Sequence, residues 1–424
     1  MQHAFNRISV IGLGYIGLPT AATIASRGVD VIGVDINEQA VKTISGGGVH
    51  IIEPDLDMLV RAAISTGKLR AVSTPEKADA FIITVPTPVV AGHTPDLSYI
   101  ESAARSIAPV LEAGNLVILE STAPVGTGKK LSGWLGGLRP DLRFPHQAAD
   151  KADIRLAYCP ERILPGRMIT ELVGNDRIIG GMTPVCAAHA HELYKIFVRG
   201  KCILTDADSA ALVKLAENAF RDVNIAFANE LSIICDQLGL DVWNIIEMAN
   251  RHPRVNILKP GPGVGGHCIA VDPWFIVDSA PESSRLIRTA REVNDGKPNY
   301  VLARVQQHAD RFKDPIIACL GLSYKANVDD LRESPAVEIA AELGRRKVGR
   351  ILVVEPHIPS LPPALQGIDG IEFCTMGAAL ARADIAVLLV DHSAFRGIQA
   401  DQLLNRIVID TRGFWRDRLT VAEA

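Results

Sequence analysis

The feature that most restricts what this chain can fold into lies at its start. Arg7–Ile11 is a short apolar run, followed at once by Gly12-Leu13-Gly14-Tyr15-Ile16-Gly17 and a helix-like segment, Ile16–Ser26. A second apolar run, Val29–Asp35, then ends on a carboxylate. Glycines at the first, third and sixth positions of such a turn let backbone N–H groups approach a pyrophosphate at a helix N-terminus. An acid at the end of the next strand can accept hydrogen bonds from an adenosine ribose and would repel a 2′-phosphate, which favours NAD over NADP. A glycine-rich turn alone is weak evidence. The order strand, turn, helix, strand, acid is what makes Gly12, Gly14, Gly17 and Asp35, with Tyr15 and Ile16 of the same turn, candidate cofactor-binding residues.

The alternation continues. Leu69–Ser73, Ala80–Val85 and Leu116–Ser121 read as strands, and Glu38–Ser45, Leu56–Ser65 and Ser98–Leu111 as helices. Strands that are apolar throughout belong in a parallel sheet covered on both faces, which predicts a doubly wound α/β domain. Ligands of such sheets lie beyond the C-terminal strand ends. Thr87, in Thr84-Val85-Pro86-Thr87-Pro88, and Thr122, in Glu120-Ser121-Thr122-Ala123-Pro124, follow two of those ends and become candidates to touch a cofactor or a water. Ordinary turn chemistry would also place Thr and Pro there.

The middle of the chain reads differently. From Ser209 to Leu238 there is no Gly or Pro, and Leu212, Leu215, Ala219, Phe220, Val223, Phe227, Leu231 and Ile234 recur at helical spacing. A helix of about 30 residues is about 45 Å long, enough to link two domains or form a subunit interface. Lys214, Asn218 and Arg221 share one of its faces, an arrangement that a solvated helix face would also show. A second helix is expected at Trp243–Asn250, a Gly/Pro-rich loop at His252–Pro273 and a helix at Ser284–Val293. The last third returns to strands, at Pro315–Leu322, Arg350–Val354, Ile385–Val390 and Arg406–Asp410, with helices at Ala336–Arg346 and Ala378–Ala383. The reading is therefore α/β: two doubly wound Rossmann-like domains joined by a long central helix and a small helical domain. Its boundaries are residues 1–205, 206–300 and 314–424.

Gly261-Pro262-Gly263-Val264-Gly265-Gly266-His267-Cys268 is the other unusual segment. Four glycines leave the thiol few bulky neighbours, and Asp272 follows four residues on. A thiol beside a carboxylate, in a chain with a nicotinamide site, points to covalent catalysis, with His267 a secondary candidate to assist. The cysteines number seven, are widely spaced and form no CxxC, so neither a disulfide framework nor a metal site is expected. A net charge of −4 argues against broad nucleic-acid binding. No apolar run approaches the roughly 18–20 residues of a spanning helix, so no membrane insertion is expected. The N-terminal apolar stretch is broken by Gly12, Gly14 and Gly17, unlike a secretion signal, which makes the cytoplasm the expected location.

Taken in order, GLGYIGLPTA, STAPVGT, YCPERILPG, KLAENAFRDVNIAFANE, NRHPRVNILKPGPGVGGHCIAVDPWF, GLSYKANVDDLRESPA and the closing DTRGFW resemble the UDP-glucose/UDP-mannuronic-acid dehydrogenase family over nearly the whole chain. NRHPRVNI, GGHCIAVDPWFIV and RLIRTAREVND look like the subgroup acting on N-acetylated hexosamines. UDP-glucose dehydrogenases usually carry a lysine three residues after the nucleophile, where this chain has Val271. The resemblance implies a four-electron oxidation of a UDP-sugar at C6, supplying a polysaccharide precursor. UDP-N-acetyl-D-mannosamine is the first substrate it implies, with UDP-N-acetylglucosamine, UDP-N-acetylgalactosamine and UDP-glucose as alternatives.

In the implied mechanism a first hydride passes to NAD and leaves an aldehyde, which the Cys268 thiolate captures as a thiohemiacetal. A second hydride transfer leaves a thioester, and water hydrolyses it. Lys214 is then the proton donor and acceptor, Asp272 activates water, Thr122 positions it, and Glu161 is a further candidate for hydrolysis or proton transfer. By the same carry-over Arg162, Ile163, Lys214, Asn218, Arg221, His252, Arg254, Gly265, Tyr324, Lys325 and Arg412 contact the UDP-sugar, and Arg332 contacts NAD. The family also implies a homodimer or higher homo-oligomer, in which Arg254 reaches the neighbouring subunit's site. A simple two-electron hydroxyacid dehydrogenase would leave Cys268 and the C-terminal α/β segment unexplained, and a non-catalytic sugar-binding protein would have no need of Lys214, Cys268 and Asp272 together.

Overall fold

The computed structural model describes residues 5–416 apart from 52, 91, 164–165, 267 and 405. The chain divides into two compact units, Met1–Glu217 with Trp274–Pro281, and Asn218–Pro273 with Glu282–Ala424.

The first unit is built on β1 (Arg7–Ile11), β2 (Asp30–Val34), β3 (Leu69–Val72), β4 (Ala80–Ile83), β7 (Leu116–Leu119), β8 (Arg155–Tyr158), β9 (Arg177–Gly181) and β10 (Cys202–Asp206), with a small hairpin of β5 (Val89–Val90) and β6 (Thr94–Pro95) after β4. The sheet order is β10-β9-β8-β7-β4-β1-β2-β3. Every residue of β4 and β7 is buried, as their unbroken apolar sequence requires of central strands. Pairing is parallel throughout except between β8 and β9. Helix Gly17–Ala25 is buried over its whole length. One core lies on each face of the sheet, around Ile8, Leu18 and Tyr194 on one side and Phe81, Leu131 and Tyr158 on the other.

The second unit holds an all-parallel sheet ordered β13-β12-β11-β14-β15, made from β11 (Ile316–Leu320), β12 (Arg350–Val354), β13 (Ile371–Phe373), β14 (Ile385–Leu388) and β15 (Ile407–Asp410). Its faces are covered by two cores, one containing Val301, Val305 and Ile339, the other Leu380, Phe395 and Trp415. The fold is thus two α/β units, one on a mostly parallel and one on an all-parallel sheet, with a helical segment between them in sequence.

Helix Ala207–Gln237 matches its expected span, with residues to Glu217 in the first unit and those from Asn218 in the second. Its burial does not follow one apolar stripe. Leu215, Ala219 and Ala226 are buried, but Phe220, Phe227 and Ile234 are 72%, 55% and 43% exposed. Part of the buried face is polar: Asp222 accepts from Arg291 Nη1 at 2.6 Å, and Asn229 Nδ2 donates to Asn294 Oδ1 at 2.9 Å. Arg291 and Asn294 belong to helix Arg285–Ala309, which outruns the expected Ser284–Val293 by continuing through Gly296 and Pro298. Burial of Val301, Leu302, Val305 and Ala309 against the sheet carries the helix past its proline. The stretch expected to be loop up to Pro273 also gives way earlier, to helix Asp272–Ser279. Among the described residues no helix is long and apolar enough to cross a membrane.

Candidate active site

In the first unit the glycine turn closes on itself. Gly12 has φ +92, and a Cβ there would lie 3.0 Å from the Thr84 carbonyl oxygen. A Cβ on Gly17 would meet Gly12 O at 1.8 Å, so only glycine lets the helix start this close to the turn. Gly14 faces open space, with no atom within 4 Å of a Cβ built on it, and Tyr15 beside it is 39% exposed. Ile16 is the residue before the helix. Asp35 Oδ2 accepts from Leu13 N and Oδ1 from Asn37 N, both at 2.8 Å, which leaves the half-buried carboxylate fixed at the rim of the turn. A glycine cradle, an open helix start and a strand-end acid fit a dinucleotide. They could hold its pyrophosphate and ribose.

The ends of β4 and β7 stand beside this turn. Thr84 Oγ1 donates to Gly12 O at 2.7 Å, Ser121 Oγ to Val85 O at 2.6 Å, and Thr87 Oγ1 to Thr122 O. Thr87 and Thr122 are therefore held together. Thr84 and Ser121 were missed in sequence, although they belong to the same two motifs.

Glu161 lies 8% exposed, ion-paired to Arg177, and its Oε1 accepts from Arg162 N at 2.7 Å. The Arg162 guanidinium is held by Glu217 Oε1 at 2.7 Å and Asp176 O at 2.5 Å. Ile163 packs against the apolar core, and Lys214 is buried on the long helix at 8% exposure. Behind Glu161 sits Glu120, its carboxyl pushed up to about 7 by burial, which outweighs the nearby Arg177 charge. Arg177, Tyr194 and Glu120 complete a buried cluster that sequence reasoning did not foresee; an arginine at the head of an otherwise apolar strand, Arg177-Ile178-Ile179, was its one visible sign.

In the second unit the glycine-rich loop before Cys268 lies against the segment that follows β11. Cys268 is exposed, whereas Cys159, Cys186, Cys235 and Cys319 are buried and Cys202 and Cys374 half-buried. Cys268 O accepts from Val271 N at 3.1 Å and from Asp272 N at 2.8 Å, a turn that brings the two residues together. Asp272 is 2% exposed, and Asn218 Nδ2 donates to its Oδ2 at 2.5 Å. His267 lies outside the described residues.

A Cβ on Gly265 would lie 2.3 Å from Glu333 O, and one on Gly266 2.9 Å from the Tyr324 ring, so these glycines admit the loop of Tyr324 and Arg332. Gly266 N also donates to Arg332 O at 3.3 Å, while the Arg332 guanidinium pairs with Asp330. Tyr324, Lys325 and Arg412 line one cavity of about 30 Å³. Arg412 Nε donates to Asp391 Oδ1 at 3.0 Å. Arg221, His252 and Arg254 are exposed, and Arg254 N donates to His252 Nδ1 at 3.3 Å.

Residues 6–198, 208–296 and 318–417 match in turn the NAD binding domain, the central domain and the UDP binding domain of the UDP-glucose/GDP-mannose dehydrogenase family. The chain is 67% identical over 411 residues to NDP-N-acetyl-D-galactosaminuronic acid dehydrogenase of Ralstonia nicotianae, covering 97% of this chain and 96% of that one. It is 58% identical over 424 residues to UDP-N-acetyl-D-mannosamine dehydrogenase of Escherichia coli K12, covering 97% and 100%. The solved UDP-D-ManNAc dehydrogenase from Pyrococcus horikoshii is 40% identical, with a TM-score of 0.85 over 96% of each chain. Matches to all three parts, in one order and over nearly full length, show that this NAD-dependent enzyme belongs to the UDP-glucose/GDP-mannose dehydrogenase family.

Proposed function

We propose that the enzyme oxidises UDP-N-acetyl-D-mannosamine at C6 to the uronate in two hydride transfers, through a covalent adduct on Cys268. The observation that carries this reading is Cys268 itself: of seven cysteines it alone is exposed, and it sits in a hydrogen-bonded turn with buried Asp272. A dehydrogenase that stopped at the aldehyde would have no use for such a thiol. NAD, held by Gly12, Gly14, Tyr15, Ile16, Gly17, Asp35, Thr87, Thr122 and Arg332, supplies the acceptor for each hydride. Lys214 moves the alcohol proton and steadies the developing oxyanion. The Cys268 thiolate adds to the C6 aldehyde, so that the intermediate cannot escape between the two oxidations. Asp272, held by Asn218, activates the water that releases the acid from the thioester, with Thr122 and Glu161 assisting.

Arg162, Ile163, Asn218, Arg221, His252, Arg254, Gly265, Tyr324, Lys325 and Arg412 make up the UDP-sugar site in this reading, where arginines suit a diphosphate. Residues 1–205 serve the dinucleotide, 206–300 association and 314–424 the UDP group. Phe220, Phe227 and Ile234, exposed at seven-residue intervals on one helix, support a homodimer or higher homo-oligomer. Seven widely spaced cysteines without a CxxC suit a reducing compartment, the cytoplasm.

The relatives divide over the sugar. The E. coli relative and the P. horikoshii structure are named for the manno epimer, whereas the R. nicotianae relative, at 67% identity, is named for the galacto uronate. UDP-N-acetylgalactosamine is therefore the second reading. NADH formed per UDP-sugar decides both questions. Two NADH from UDP-N-acetyl-D-mannosamine, with lower kcat/KM for the galacto and gluco compounds, is expected. Two NADH from the galacto compound with higher kcat/KM would replace the substrate, and one NADH per sugar, or full turnover by Cys268→Ser, would overturn the covalent scheme.

A further inference from the structure

The proposed chemistry leaves unused the buried groups that gather behind Glu161. Glu120 follows β7, Cys159 follows β8, Arg177 opens β9, and Tyr194 ends helix Pro184–Tyr194. Their exposures are 2%, 0%, 3% and 0%. Tyr194 OH donates to Glu120 Oε1 at 2.6 Å. The Arg177 guanidinium lies 5.2 Å from the centre of the Tyr194 ring and pairs with Glu161. Glu120 Oε2 is buried with no hydrogen-bond partner among the described residues.

Two carboxylates around one guanidinium carry one surplus negative charge if both are ionised, and their burial keeps bulk solvent from screening it. One proton removes the surplus. The two acids do not compete for it equally. Glu161 has the ion pair and the Arg162 N–H; Glu120 has one phenol on one oxygen and nothing on the other. Burial with so few donors favours the neutral acid. Burial also pushes the Cys159 thiol and the Tyr194 phenol far up, so neither of these neighbours exchanges a proton near neutrality. Glu120, pushed up to about 7, does.

We propose that Glu120 is a positioning residue for thioester hydrolysis: it carries the proton of this buried set, and so leaves Arg177 to hold Glu161 in place. When that proton is lost, Glu120 becomes a second anion competing for Arg177, and Glu161 loses its fixed orientation. Hydrolysis of the acyl-enzyme therefore slows as pH rises through neutrality. The proposal rests on the reading of Glu161 as a hydrolytic group.

The test is single-turnover hydrolysis of the acyl-enzyme across pH, in the full-length enzyme with NAD and UDP-sugar. Wild type is expected to slow several-fold between roughly pH 6 and 8. Glu120→Gln, which fixes the neutral form, should lose that limb. Tyr194→Phe removes a hydrogen bond that favours the ionised acid and should move the limb to higher pH. An infrared carbonyl band of a buried protonated carboxyl should be present in wild type at pH 6 and absent from Glu120→Gln. If that variant fails to fold, the Tyr194→Phe shift in limb and band decides. Glu161→Gln is expected to accumulate acyl-enzyme. Normal hydrolysis in Glu161→Gln overturns the reading underneath, whereas a stalled Glu161→Gln beside an unchanged limb in Glu120→Gln overturns this proposal alone.

Discussion

The first and second units begin their sheets with the same backbone device and put it to different ends. In the first, Gly12 has φ +92, its N–H donates to Val34 O at 2.8 Å, and the acid after β2 accepts from Leu13 N and Asn37 N. In the second, Gly321 has φ +91, its N–H donates to Val354 O at 2.8 Å, and the acid after β12, Glu355, accepts from Leu322 N at 2.7 Å and His357 N at 3.0 Å. The difference begins just after the glycine. Helix Gly17–Ala25 starts at once and presents its N-terminus at the turn; helix Pro335–Arg345 waits until a long loop has carried Tyr324, Lys325 and Arg332 past the glycine-rich loop of Gly265 and Gly266. The acids differ too. Asp35 is half-buried at an open rim, whereas Glu355 is 3% exposed and closed off by fully buried His392, Nε2 to Oε2 2.9 Å. Glu355, His357 and His392 lie close enough to share a cation, but His392 Nδ1 already accepts from Asn327 N at 2.9 Å, and Nε2 faces Glu355. A strand-end acid is thus available to a ligand only where the fold leaves it open; closed off, it becomes part of the core.

Replacing the two acids gives the largest expected contrast. Glu355→Ala strips His392 and three backbone N–H groups of their acceptor inside the core, and should cost about 3–5 kcal/mol in urea unfolding. Asp35→Ala leaves only Leu13 N and the exposed Asn37 N without their acceptor and should cost about 1–2 kcal/mol, yet weaken NADH binding roughly tenfold or more in a fluorescence titration. Burial pushes the Glu355 carboxyl up, but His392 and the backbone amides outweigh it and hold it below its ordinary 4.5. Its stabilisation is then complete above pH 4.5 and lost as pH falls through the folded value, an acid limb that Glu355→Gln should lack. Equal stability losses at Asp35 and Glu355, with NADH binding intact in both variants, would break the comparison.

The two glycines come next. Gly17→Ala drives a Cβ to within 1.8 Å of Gly12 O, and Gly321→Ala drives one to within 2.4 Å of Val390 Cβ in a left-handed backbone. Each should lose about 1–3 kcal/mol of stability. Only Gly17→Ala should also weaken NADH binding, because only there does the displaced helix belong to the cradle. Equal weakening by Gly321→Ala would mean that the second turn also contributes to the dinucleotide site.

These contrasts mark where the sequence was readable. The glycine turn, Asp35 and the apolar strands β1 to β7 of the sheet were legible because steric demand and two-sided burial leave few residue choices. β8, β9 and β10 were not: β8 and β9 each open on an arginine, β10 ends on Thr205 and Asp206, and only the buried Glu161 that pairs with Arg177 makes that arginine a core residue. The helix after Ser284 was stopped short at Val293 because Gly296 and Pro298 follow; packing of Val301 and Val305 outweighs both. Phe220 and Phe227 were placed in a stripe by spacing alone, and spacing cannot tell a face that packs within the chain from one left exposed. At the candidate site, Cys268 and Asp272 stand out by residue type after a glycine-rich segment, and the structure brings them into one turn, whereas Glu120 carried no local sign, since its environment is assembled from three strand ends and a distant helix.

The smallest contrast lies two residues past each acid. Asn37 and His357 occupy the same place, and each donates its N–H to the acid before it, at 2.8 and 3.0 Å. Side-chain substitution leaves that bond alone. Asn37 has a further duty, because its Oδ1 accepts from Gln39 N at 3.0 Å and Ala40 N at 3.2 Å and so caps helix Glu38–Ser45. His357 caps no helix, and its ring lies on the surface 4.8 Å from that of His392. Asn37→Ala should therefore cost about 1 kcal/mol, while His357→Ala should stay within about 0.5 kcal/mol of wild type. Chemical denaturation of both variants at neutral pH reads the difference. A loss at His357 as large as at Asn37 would show that the exposed imidazole supports the buried His392–Glu355 pair, and that the second acid depends on more than the groups enclosing it.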